Sequence, residues 1–138
     1  MSFRETSAWI TLVTVLVCFG AYFGAIYFGI APHGMMRVHL LLGCLLALIV
    51  LQVVLRLIAA RLSPADARSP KDEREELIEL RATRIGYYFL AISAFACGFL
   101  LHIGPASAVE LMNVVLLAIV TSIIVVALAQ IVQFRRGV

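Results

Sequence analysis

His39 and His102 are the residues of this chain whose spacing most suggests chemistry. Each has a glycine four positions away, Gly43 after His39 and Gly98 before His102, and beside that glycine a cysteine, Cys44 or Cys97. A four-residue step stays on one face of a helix. If the two segments are antiparallel helices, the imidazoles sit at similar depth, each with a glycine one turn deeper. Neutral imidazoles can ligate a haem iron from both sides, and glycines let a porphyrin approach the backbone. In that alternative His39 and His102 are the axial ligands of one haem b, Gly43 and Gly98 make room for it, and Arg37 meets a propionate. The plainer reading, preferred here, is two interfacial histidines whose glycines serve helix contact, with no resident cofactor.

Other chemistry is thinner. His33, Met35, Met36 and His39 cluster in sequence and are soft-to-borderline metal ligands, but they lack a thiolate or carboxylate to close a copper or zinc site. No Ser-His-Asp set, phosphate-binding loop or metalloprotease motif occurs, so catalysis is not expected. The three cysteines, Cys18, Cys44 and Cys97, all lie within apolar runs and read as small core residues rather than a disulfide framework.

The elements that must position these residues are membrane spans. The chain has 138 residues, 63% of them hydrophobic and 14% charged, with a mean hydropathy of +1.05. A soluble domain is about half apolar and a quarter charged. Four apolar runs, 8–30, 38–60, 85–103 and 111–134, are each long enough to cross once, given the ~20 residues needed for ~30 Å of hydrocarbon at ~1.5 Å per residue. Run length and the lack of strict alternation exclude strands. The first run is too long for the apolar core of a cleaved signal. The expected fold is a single integral membrane domain, 1–138: an all-α antiparallel four-transmembrane-helix bundle.

Orientation follows from Lys and Arg. With the amino terminus cytoplasmic, Arg4, Arg56, Arg61, Arg68, Lys71, Arg74, Arg81, Arg84, Arg135 and Arg136 share one side and only Arg37 lies on the other. The positive-inside rule then places both termini in the cytoplasm of a bacterial inner membrane. Arg56 is close enough to the inner headgroups to snorkel. The bilayer is the implied partner; nucleic acid is not. No carboxylate falls in the middle of a span, whereas proton-coupled transporters use one as a relay, which argues against that class.

The cytoplasmic loop 61–84 carries the charge. Ser69 and Pro70 form a helix start, Asp72 and Glu73 suit its positive end, and nothing breaks the chain from there to Gly104. One long helix is therefore expected, its first turns a cytoplasmic stalk and its remainder the third span. The stretch Ser69-Pro70-Lys71-Asp72-Glu73-Arg74-Glu75-Glu76-Leu77-Ile78, with Arg81, Arg84 and Tyr87 beyond it, resembles the Asp-Glu-Arg loop signature of small uncharacterised prokaryotic four-span membrane proteins. The resemblance implies the four-span fold and no particular activity.

Small residues mark expected helix contacts: Gly20 and Gly24 on the first span, Gly43 and Ala47 on the second, Ala94 and Gly98 on the third, Ala118 and Ser122 on the fourth. They suit packing within the bundle or, at Gly20 and Gly24, a seam with a second copy or another membrane protein. Gln52, Asn113, Thr121, Ser122, Gln130 and Gln133 should bond between helices or to backbone carbonyls. Tyr22, Phe23, Tyr27 and Phe28 at the outer edge, with Trp9, Tyr87 and Tyr88 at the inner, fit aromatic belts. Function on this reading is non-enzymatic: a structural, regulatory or accessory membrane protein working through helix contacts and its stalk.

Overall fold

The computed structural model describes residues 3–30, 34–64, 72–104 and 107–136, with backbone alone at 100–103. Four helices account for nearly all of them: α1 (Phe3–Tyr27), α2 (Met35–Leu62), α3 (Glu73–Ile103) and α4 (Ala108–Arg136), with no strand among the described residues. Each apolar run lies in one helix, extended by a turn or so at either end in α2 and α4 and by about three turns at the start alone in α3, except that 28–30 fall beyond α1. Three of the helices, α1, α2 and α4, are each long and apolar enough to cross a membrane. The chain divides into two compact units, 1–70 and 71–138.

In the first unit α1 packs against α2. The α1 stripe Ala8, Leu12, Val15, Phe19 and Tyr22 is buried, at steps of three and four that keep one helix face. Helix α1 stops in a Schellman motif. Gly29 adopts φ +68°, Ile30 N–H donates to Ala25 O at 3.0 Å and Gly29 N–H to Ile26 O at 3.2 Å. Only glycine takes that left-handed turn at little cost, which is why the helix ends short of the apolar run.

Helix α2 has no buried residue at all. Leu42, Leu46, Ile49, Val53 and Leu57 are each more than half exposed. Full burial of such a side chain is worth ~1.5–3 kcal/mol. Leaving a helix of them in water would forfeit on the order of 10 kcal/mol, about the whole stability of a typical domain. The medium around α2 must itself be apolar.

In the second unit α3 runs unbroken from Glu73 to Ile103, joining the charged stalk to the apolar run as a single helix. Its N-cap is Asp72 rather than the expected Ser69, which lies outside the described residues. The Asp72 N–H donates to Glu75 Oε2 at 3.4 Å, the reciprocal half of a capping box. Helix α4 begins in a fuller box. Ser107 N–H and Oγ–H both donate to Glu110 Oε2, at 2.8 and 2.9 Å, and Glu110 N–H donates back to Ser107 Oγ at 3.3 Å.

Candidate functional site

The α1–α2 interface holds two polar relays on successive turns. The Gln52 amide Nε2–H donates to Thr14 Oγ1 at 3.3 Å, and Thr14 donates on to Ile10 O at 2.7 Å. One turn away an Arg56 guanidinium N–H donates to Thr11 Oγ1 at 2.9 Å, and Thr11 donates to Ser7 O at 3.1 Å. The pairs 14–52 and 11–56 run in opposite senses, so the helices are antiparallel. Thr14 is buried, and each hydroxyl is satisfied as acceptor and donor together. In an apolar medium such bonds join helices at ~0.6–2 kcal/mol apiece. Arg56, expected to snorkel, bonds across to α1.

The second unit joins differently. Gly86 is buried where α3 meets α4. A Cβ added there would overlap Val126 Cγ2 and stand 3.6 Å from the Ser122 carbonyl oxygen. Ser122 Oγ–H donates to Gly86 O at 2.9 Å. Helix backbones approach this closely only where a side chain is missing. Ser122 behaves as the sequence suggests, and Thr121 likewise donates to Leu117 O at 2.7 Å. Gln133 Oε1 is shielded and accepts no hydrogen bond among the described residues.

The other glycines correct the packing expectation. A Cβ added at Gly20, Gly24, Gly43 or Gly98 meets nothing within 4 Å. Among the described residues, none marks a close helix approach within its own unit. Gly98 and Cys97 instead border an apolar recess of about 270 Å³ between α3 and α4. All three cysteines are free. Tyr22 also departs from expectation. It is fully buried rather than part of a belt, while Tyr27, Phe28, Tyr87 and Tyr88 are each at least 60% exposed.

Of the residues singled out for ligation, His39 is exposed near the start of α2, and its Nδ1 lies 3.0 Å from Met35 O. A carbonyl oxygen only accepts, so Nδ1 is the donor in that contact. Arg37 is half-buried, and its Nε is shielded without a hydrogen-bond partner among the described residues. Met35 and Met36 are exposed. His33 and the side chain of His102 lie outside the described residues. Among the described residues no group of three or more His, Cys, Asp or Glu comes together.

Thr11, Thr14 and Gly86 went unnoticed in the sequence. A signal was present for the threonines, three apart on α1 as Gln52 and Arg56 are four apart on α2, so each pair shares a face. Gly86 stands alone among large residues and carries no such pattern.

The chain matches no protein-family model, no curated protein and no solved structure.

Proposed function

We propose that this is a four-span integral membrane protein, with residues 85–103 of α3 as the fourth crossing and both termini on the cytoplasmic side of a bacterial inner membrane. It acts without catalysis, as a structural, regulatory or accessory subunit, through helix contacts in the bilayer and through the charged stalk at the start of α3. The observation that carries this reading is α2, a long apolar helix with no buried residue. Apart from the face that meets α1, such a helix is open to lipid and to other helices. The open glycines Gly20 and Gly24 on α1 suit close approach by a second copy or another span, since a missing Cβ is what such approach requires. The likeness of the stalk to small prokaryotic four-span proteins agrees with the same topology.

Site-directed crosslinking in native membranes tests the reading. Single cysteines at Gly24 and Leu46, in a background lacking Cys18, Cys44 and Cys97, should give adducts to a second copy or a discrete membrane partner. Monomeric protein at both positions would contradict it. An absorption spectrum of the purified chain tests the haem b alternative: a Soret band lost in both His39→Ala and His102→Ala would make the protein a cytochrome.

A further inference from the structure

We propose that Arg81, Arg84 and Arg136, with Gln133, form a binding site for the phosphate of an anionic phospholipid at the membrane edge of the α3–α4 pair. The four side chains line a cavity of about 390 Å³ together with Ile85 and Val132. Two helices contribute, α3 through its charged-to-apolar boundary and α4 through its last residues. The three arginines are exposed and make no ion pair among the described residues. Guanidinium groups grip phosphate oxygens through paired N–H donors, and they do so best where the surroundings are partly dry.

The charge pattern of α3 favours an anion on this side. At about 100° per residue, Arg74, Arg81 and Arg84 fall within a sector of about 80°, with Glu73 about 20° beyond Arg84 but about three turns nearer the helix start. Glu75, Glu76 and Glu79 fall in a separate sector of about 100° on the other flank. The positive-inside rule requires basic residues at this end but does not require them to converge on one cavity clear of carboxylates. The carboxyl end of α4 opposes an anion with about half a unit of negative charge, which three arginines outweigh.

Two observations favour a lipid over a soluble phosphate. Ile85 and Val132 give the cavity an apolar wall, and Val132 and Leu128 continue as exposed apolar surface along α4, where an acyl chain can lie. Gln133 Oε1, shielded and unpartnered, is an acceptor for a headgroup hydroxyl such as the glycerol of phosphatidylglycerol. Basic pockets between spans on the cytoplasmic side are the usual form of such sites.

The test is native mass spectrometry of the full chain in detergent, titrated with dioleoylphosphatidylglycerol or dioleoylphosphatidylcholine. Wild type should retain the anionic lipid preferentially. Arg84→Gln and Arg136→Gln should each weaken that retention by about tenfold, the scale of one charge-assisted contact. Arg74→Gln and Arg61→Gln, equal in charge but outside the cavity, should leave it within twofold. Circular dichroism on each variant, and Arg84→Lys with intermediate retention, separate lost binding from lost folding. Equal loss in the cavity and control variants, or no preference between lipids, would overturn the site. Displacement of the lipid by millimolar inorganic phosphate, with the preference otherwise intact, would overturn the lipid as its ligand.

Discussion

The two hairpins of this chain are joined by opposite devices. Between α1 and α2 the bonds run from side chain to side chain: Gln52 to Thr14, Arg56 to Thr11. Between α3 and α4 the backbones close on each other at Gly86, and the bond there runs from Ser122 to a main-chain carbonyl. In lipid there is little hydrophobic drive between helices, so association rests on interhelical hydrogen bonds and close packing. The first hairpin leans on the former and leaves α2 unburied. The second leans on the latter and buries Gly86, Ala82 and Ile78. A polar bridge tolerates change in its surroundings, whereas a close approach is broken by one methyl group.

The largest effect should therefore come from Gly86→Leu. Its side chain has no space against Val126 and the Ser122 carbonyl, and overpacking of this kind costs ~1–3 kcal/mol or more. Thermal unfolding in detergent should fall clearly for Gly86→Leu and hold for Gly43→Leu, which meets open space. Equal responses would erase the contrast between the hairpins.

A middle-sized effect belongs to the polar relays. Thr14→Val and Gln52→Leu, made singly and together, should show a coupling of ~0.6–2 kcal/mol in a double-mutant cycle. Additive losses would mean that the 3.3 Å contact contributes nothing.

The smallest concerns the start of α4. The Ser107 backbone N–H, and then its hydroxyl, hold the Glu110 carboxyl below the ordinary glutamate range. A carboxylate with a lowered folded value adds stability above the ordinary range, and that contribution fades as pH falls through the lowered value. Ser107→Ala removes the hydroxyl's share, so Glu110 should titrate nearer an ordinary carboxylate in an NMR pH series. An unchanged titration would show that the backbone bond alone sets it.

Much of the helical framework was legible because apolar runs of spanning length leave few alternatives. The continuity of α3 from its charged start into the apolar run was equally readable, since no breaker lies between Asp72 and Gly104. Helix ends were less so: Gly29 stops α1 inside an apolar run, and Asp72 displaces Ser69 as the visible cap. Packing was read least well. Glycine pairs at four-residue spacing drew attention to Gly20, Gly24, Gly43 and Gly98, yet contact depends on which face meets a neighbour, and spacing alone does not specify that. The lone Gly86 makes the close approach instead. The arginine cavity was invisible for a related reason, because Arg136 lies some fifty residues from Arg84 and only the antiparallel pairing of α3 with α4 brings them to one end.

The central claim is that the chain crosses the membrane four times with its charged ends on one side. Single cysteines at Asp72, Ser107 and Val138, in a background lacking the three native thiols, can be challenged in intact cells with a membrane-impermeant maleimide. The account predicts that Ser107→Cys reacts from outside, while Asp72→Cys and Val138→Cys react only after the cells are opened. Labelling of Asp72→Cys from outside, or of Ser107→Cys only from within, would contradict it.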